Sequence, residues 1–385
     1  IAEQGTPVLV IIEGLTMYLS EADVQRIFEV IAGRFGSVTV FVETMNPMVV
    51  KSFKEKSIEG SNAKFTWGVK NGAALVKLLP GFRFREEHSL TEGMAQFVPV
   101  YKLLGGKTNG RLRAYASQIQ FDWSGKSKAM LTPEDYRVAT RHAMEAGFDC
   151  VKVDPLLWSR RGGFQDWNTR GILTNEKLKT AVERVAAVRE EGGDGLDIII
   201  ELHAYTDTNT SVQLAKELEP LGIFYYEEPT QPLNPNLFST ISSKTDIPLA
   251  SGERIFSRWG FRPFFENRSL SIIQPDVCNT GGITEAKKIC DMAHVYDIGV
   301  QMHICGGPIS TAATLQIEAA IPNFVIHEHH QGAIIPENIA TCKYDYQPVN
   351  GYFEVPELPG IGQELTEEAI AAAEKITVSG KPRFD

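Results

Sequence analysis

From Leu112 onward the chain alternates short apolar, β-branched runs with helix signals at a near-constant interval, and few architectures accept that pattern. The runs are Leu112 to Ile119, Val151 to Asp154, Ile198 to Ala204, Ile223 to Pro229, Pro248 to Glu253, Ile272 to Asp276, Gly299 to Ile304 and Phe324 to His330. Between them, Thr132-Pro133-Glu134-Asp135 reads as a helix cap with Pro in the first turn, and Thr174-Asn175-Glu176-Lys177 opens another amphipathic stretch. Thr284 to Tyr296 and Ser310 to Ala320 supply two more. Alternation with interior-type strands implies a parallel sheet, and eight such units close most naturally into a TIM-like barrel, so the expected class is α/β. A hydrophobic content of 43% over 385 residues can fill such a core.

The first hundred residues follow another plan. Pro7 to Ile12 and Ser37 to Glu43 read as strands. Ser20-Glu21-Ala22-Asp23 reads as a capping box opening a helix with Val24, Ile27, Phe28 and Ile31 on one face. The strings Val8-Leu9-Val10-Ile11-Ile12-Glu13-Gly14-Leu15-Thr16-Met17-Tyr18-Leu19, Phe41-Val42-Glu43-Thr44 and Trp67-Gly68 resemble the second half of leucine carboxyl methyltransferase-like O-methyltransferases, over about residues 6–94. In such proteins the Gly-rich cofactor loop belongs to the first half. No such loop occurs here, so methyl transfer is not expected from this chain alone.

Charge narrows the partners. The net charge of −10 and the lack of a Lys/Arg-rich run argue against nucleic acid or an anionic membrane. Apolar runs such as Pro7 to Ile12 fall far short of the roughly 20 residues a membrane helix needs, and no signal peptide opens the chain. The five cysteines form no Cys-x-x-Cys pair and are odd in number, which reads as reduced thiols in the cytoplasm. Ile1 stands where Met is usual, so the chain reads as a fragment.

The chemistry gathers at the C-terminal ends of the expected strands. Glu201, Glu227 and Glu253 follow one another at intervals of 26 residues, one βα unit each, which places three carboxylates side by side at the barrel mouth. One acidic residue at a strand end is ordinarily a solvated loop carboxylate; three in equal register are not. Two unit charges about 4 Å apart repel by roughly 4 kcal/mol at an effective dielectric of about 20, so a divalent cation is the natural remedy, and oxygen-only ligation favours Mg2+. Strand alternation admits only one of Glu227 and Glu228, and the register selects Glu227. His203, two residues past Glu201, is expected on the same strand face. Asp276 and His303 end neighbouring strands, where the carboxylate can orient the imidazole and raise its basicity. The alternative for each histidine is a satisfied core residue. Glu328, if protonated, could donate to a developing oxyanion, and His327, His329 and His330 beside it read as a polar loop rather than a metal cluster. Lys152 reads either as a contact for a substrate carboxylate or as a surface lysine.

These residues, in Ile200-Glu201-Leu202-His203, Tyr226-Glu227-Glu228-Pro229, Gly252-Glu253-Arg254, Gln274-Pro275-Asp276 and Met302-His303, resemble the enolase superfamily, mandelate racemase subgroup. His203 and the stretch Ser251 to Arg258 are most similar to galactonate dehydratase-like sugar-acid dehydratases, and the likeness runs from about Pro99 to Gly362. The resemblance implies a (β/α)7β barrel binding Mg2+ through Glu201, Glu227 and Glu253. It further implies His303, oriented by Asp276, as base toward the proton α to a sugar-acid carboxylate, and His203 as acid toward the departing 3-hydroxyl. Glu328 and Lys152 would contact the substrate, and the product would be a 2-keto-3-deoxy acid. Two departures stand out: the first ligand position, usually Asp in these dehydratases, is Glu201, and Val151-Lys152-Val153-Asp154 lacks the second Lys of the racemases.

The superfamily's α+β capping domain is not recognisable in residues 1–94, so the partial methyltransferase-like segment takes its place. Expected divisions are therefore 1–98, 99–362 and a C-terminal tail or helix over 363–385, with the seam between Gly93 and Pro99. A small-molecule sugar acid is the expected partner, with homo-oligomers by analogy. Two other readings stand beside the dehydratase: an epimerase or cycloisomerase that stops at proton transfer, against which His203 argues, and a catalytically silent metal-binding or interaction protein.

Overall fold

The computed structural model describes residues 7–13, 15–52, 64–88, 98–124, 128–164 and 171–374. The chain divides into two compact units, Ile1–Gly93 and Met94–Asp385. Most of the expected seam between Gly93 and Pro99, and the end of the tail past residue 374, lie outside the described residues.

In the N-terminal unit, β1 (Val8–Ile12) and β2 (Val38–Val42) pair in parallel, Val8 opposite Val38, with helix α1 (Glu21–Arg34) between them in sequence. The capping box at its start is complete: Ser20 accepts from the Asp23 N–H, and the Asp23 carboxylate accepts from the Ser20 N–H. The helix buries Val24, Phe28 and Ile31 against Ile12, Trp67, Val69, Leu75 and Leu79. Two short helices follow, α2 (Pro47–Ser52) and α3 (Gly72–Lys77), the latter capped by Asn71.

The second unit begins with α4 (Val100–Leu103) and runs through β3 (Arg111–Ser117), α5 (Pro133–Glu145), β4 (Cys150–Val153), α6 (Asn175–Gly192), β5 (Asp197–Glu201), α7 (Thr208–Leu218) and β6 (Ile223–Glu227). It continues with α8 (Pro235–Ser242), β7 (Leu249–Ser251), α9 (Ser257–Glu266), β8 (Ile272–Ile273), α10 (Gly282–Val295), β9 (Gly299–Val300), α11 (Pro308–Ala319) and β10 (His327–His330). Short α12 (Pro336–Ile339), β11 (Tyr352–Glu354, antiparallel to β3) and α13 (Glu367–Ala372) complete it.

The eight strands β10-β3-β4-β5-β6-β7-β8-β9 form one curled parallel sheet in that order. Its ends also meet, because Val300 bridges Phe324 in parallel just ahead of β10. Tyr115, Cys150, Ile199, Tyr225, Ala250, Ile272 and Ile326 form a core cluster with one residue from or beside each of seven strands, as the inside of a curled sheet requires. Helix faces pack on the outer side, where Tyr136, Ala139 and Ala143 of α5 and Val185 and Val188 of α6 join the main core. Both predicted caps in this unit form, Thr132 with Asp135 and Thr174 with the Lys177 N–H.

Several strands stop earlier than their apolar runs. β5 ends at Glu201, because His203 and Ala204 both take left-handed conformations, φ 48° and 58°. β8 ends at Ile273, ahead of Pro275, which has no N–H to give the ladder, and β9 ends at Val300.

Candidate active site

The carboxylates come first. Glu201 and Glu227 end β5 and β6 and are direct neighbours across the sheet, while Glu253 lies in the turn two residues past β7. One oxygen from each lies within 4.8 Å of the others. Gly252 permits this, for a Cβ there would sit 2.4 Å from the backbone of Gln274.

Beneath them Lys152 on β4 is buried at 1% exposure, which rules out the surface reading. Its ammonium lies 3.1 Å from Glu201, 2.7 Å from Glu227 and 2.7 Å from Glu328. The two adjacent buried carboxylates divide their charge unequally. Burial raises Glu201, but His203 and Lys152 outweigh it and hold its carboxyl below the usual range. Burial and the neighbouring Glu201 push Glu227 well above it. Glu227 Oε2 is buried without a hydrogen-bond partner. Three clustered carboxylates, two of which, Glu201 and Glu227, carry a buried oxygen without a hydrogen-bond partner, suit a hard divalent cation such as Mg2+.

Glu228 departs from the alternation argument. Its φ of 44° turns the chain out of strand geometry, and its side chain is fully buried, paired with Arg254, which also binds Glu253. Burial and the nearby Glu253 and Glu201 push it up to about 8.

Two imidazoles approach the carboxylates. His303 Nδ1 lies 2.7 Å from Asp276 Oδ2, and its Nε2 lies 3.4 Å from Glu253. Although burial lowers it, the Asp276 hydrogen bond raises this histidine to about 9. Both residues sit past their strands, in the loops after β9 and β8.

His203 reaches the site by a route other than alternation. It lies beyond β5 in the left-handed turn, and its N–H donates to Glu201 Oε1 at 2.7 Å. Its Nδ1 lies 2.8 Å from Asp154 Oδ2, a partner the sequence did not suggest. Burial lowers this histidine too, but Glu201 and Asp154 raise it to about 9. On its other side, His203 Nε2 lies 3.1 Å from Gln118 Nε2.

Glu328 on β10 is an acceptor, not the donor that a protonated acid would be. It takes hydrogen bonds from Ser117 Oγ at 2.7 Å and from the Ile304 N–H at 3.0 Å, besides its contact with Lys152. Burial raises it, but Lys152 and His303 hold it down to about 2, so it is ionised. His327 and His329 are buried, so they line no polar loop; His327 pairs with Glu318 at 2.5 Å, and His329 stacks near Trp123 and Phe148.

No helix among the described residues is long and apolar enough to cross a membrane.

Comparison with known proteins agrees with this geometry. Residues 135–369 match the family described as enolase C-terminal domain-like. A D-galactonate dehydratase from Pectobacterium atrosepticum is 32% identical over 290 residues, covering 74% of this chain and 70% of that protein. A D-xylonate dehydratase from Haloferax volcanii is 32% identical over 289 residues, covering 75% and 67%. Among solved structures, an enolase superfamily member from Salmonella Typhimurium is 56% identical with a TM-score of 0.73, covering 74% of each chain. A mandelate racemase/muconate lactonizing enzyme-like protein from Rubrobacter xylanophilus is 32% identical with a TM-score of 0.64, covering 72% of each. Strand-end carboxylates, a histidine–aspartate pair and these matches lead to one conclusion: the chain belongs to the enolase superfamily, in its mandelate racemase/muconate lactonizing enzyme-like branch.

Proposed function

We propose that this enzyme is a Mg2+-dependent hydro-lyase that dehydrates a galactonate-like aldonic acid to a 2-keto-3-deoxy acid. The observation that carries the reading is the pair of imidazole–carboxylate dyads, Asp276–His303 and Asp154–His203, at a mouth that also gathers Glu201, Glu227 and Glu253. Proton abstraction alone needs one base. Elimination of a hydroxyl needs a base and an acid, and two oriented histidines supply both.

Glu201, Glu227 and Glu253 would hold the ion. The chemistry it would supply is positive charge for the substrate carboxylate and for the oxygens that gain charge as the α-proton leaves. His303, held by Asp276, takes that proton on Nε2. His203, held by Asp154, returns a proton to the departing 3-hydroxyl, and the enol product tautomerises to the keto acid. Lys152 offsets the negative charge beneath the mouth, and Glu328 aligns it through Ser117 and the Ile304 N–H. The D-galactonate and D-xylonate dehydratases among its relatives support an aldonate as substrate. The five free cysteines fit a reducing cytoplasm. The methyltransferase-like reading of residues 6–94 rests on the sequence resemblance alone, because the parallel β1–α1–β2 arrangement is common to many α/β folds.

The test is formation of 2-keto-3-deoxy product from a panel of aldonic and aldaric acids, with and without Mg2+, for the wild type and Glu201→Gln. Metal-dependent product lost in the variant is expected. Turnover unchanged by Glu201→Gln would remove the metal assignment. No product from any acid, with Mg2+ still raising the melting point, would replace the dehydratase by a folded metal-binding protein.

A further inference from the structure

We propose that Gln118 is a substrate-binding residue whose side-chain amide donates to the hydroxyl oxygen that leaves carbon 3, an inference that rests on the dehydratase reading. Gln118 directly follows β3 and takes a left-handed conformation, φ 68° and ψ 47°. A residue with a Cβ is disfavoured there, and such conformations gather at functional sites.

The direction of its amide is set by a backbone group that has no choice. The Asp154 N–H can only donate, and it donates to Gln120 Oε1 at 3.2 Å. Gln120 therefore turns its NH2 toward Gln118, whose Oε1 accepts it. Gln118 is left with its own NH2 toward the mouth, 3.1 Å from His203 Nε2. Gln120 is fully buried and its amide is held at both ends, by the Asp154 N–H and by Gln118 Oε1, so the relay runs one way.

A donor that cannot turn recognises lone pairs and nothing else. The oxygen of a leaving hydroxyl has them, and it must lie within reach of His203 Nε2 to receive its proton. Gln118 Nε2 stands beside that nitrogen at 3.1 Å, and once the nitrogen carries its proton both are donors, so an oxygen placed between them accepts from both. Gln118 thus helps choose acids bearing a hydroxyl at carbon 3. Gln120 touches no substrate and is a positioning residue, acting through Gln118.

Calorimetric titration of the Mg2+-loaded full chain tests this, in a His303→Asn background that prevents turnover. D-galactonate and its 3-deoxy counterpart are the two probes. The background protein is expected to prefer the hydroxylated acid by about fivefold or more, the scale of one well-placed hydrogen bond. Gln118→Met should abolish that preference while leaving the affinity for the 3-deoxy acid in place. Gln120→Glu, as a carboxylate, still accepts from the Asp154 N–H but cannot donate to Gln118, and should reduce the preference while lowering the melting point, since the charge is buried. This second variant decides the matter if Gln118→Met does not fold. A preference that survives in the folded variants overturns the proposal, as does its absence from the background protein or failure of either acid to bind. Failure of the dehydratase reading shows differently: the wild-type chain forms no keto acid although the preference and its loss are intact.

Discussion

Lys152→Met tests whether the acid cluster is held together by the one cation beneath it. The replacement keeps the length of the side chain and removes its charge, leaving Glu201, Glu227 and Glu328 facing one another in a space from which water is excluded. At 2.7 Å, each of the two shorter contacts amounts to about 6 kcal/mol of Coulomb attraction at an effective dielectric of 20. Desolvation of the buried ions offsets most of this. Breaking such a set by removing one partner leaves a net loss of about 3–5 kcal/mol. For a body of this size a kilocalorie moves the midpoint by about 2–4 °C, so a fall of roughly 10 °C is expected in EDTA. Mg2+ on the same carboxylates compensates part of the charge that Lys152 supplied. Added Mg2+ should therefore raise the variant's midpoint by more than it raises the wild type's. Melts followed by near-ultraviolet circular dichroism, in EDTA and in excess Mg2+, read both effects. A midpoint in EDTA equal to wild type, or equal Mg2+ increments in the two proteins, would refute the charge argument.

Three further outcomes follow from the same geometry. If the dyads divide the labour, Asp276→Asn should slow both deuterium exchange at the α-carbon and product formation by about a hundredfold or more, whereas Asp154→Asn should slow product alone; equal loss of exchange in both variants would reject the division. A Cβ at Gly252 would meet Gln274 backbone at 2.4 Å, so Gly252→Ala must move the turn that carries Glu253. We expect a cost of about 1–3 kcal/mol and weaker Mg2+ binding by titration, and an unchanged affinity would count against the close approach. His329 is lowered to about 3 by burial and by the neighbouring His327 and His330. Since the unfolded chain takes up this proton near pH 6.5, the stabilisation is complete above that and falls by about 1.4 kcal/mol per unit as pH drops toward 3. His329→Phe should flatten that slope in urea melts at stepped pH; parallel slopes would show that other groups carry it.

The fold was legible wherever the signal was local. The capping box at Ser20 and the Thr132 cap each depend on residues three apart, so a short window contains the whole interaction. Strand ends were harder. Leu112 to Ile119 reads as one apolar run, yet β3 stops at Ser117 because Gln118 turns left-handed. Apolar character persists through such a turn, since both strand and turn are buried, and hydrophobicity alone cannot mark where the ladder stops. The same error misplaced His203: alternation along a strand was the wrong reason for bringing it to the mouth, and two left-handed residues were the operative one. Glu228 is the counterpart, set aside by alternation and yet fully buried beside the carboxylates.

Why one dyad could be read and the other could not is a matter of counting. Asp276 and His303 are 27 residues apart, close to the 26-residue step that exposed the three glutamates. Asp154 and His203 bear the same relation, each just past the end of adjacent strands, but they are 49 residues apart because the connection from β4 to α6 is long. A constant interval is evidence of neighbouring strands only while loops stay short, and loops at the C-terminal ends of barrel strands are where insertions for substrate recognition accumulate. The more elaborate such a loop, the more completely it hides the residues at its base. Lys152 is hidden by another mechanism. Its burial depends on carboxylates from β5, β6 and β10, which only closure of the sheet brings together, so a lysine that read equally well as a substrate contact or a surface residue becomes the cation on which the site's charge balance turns.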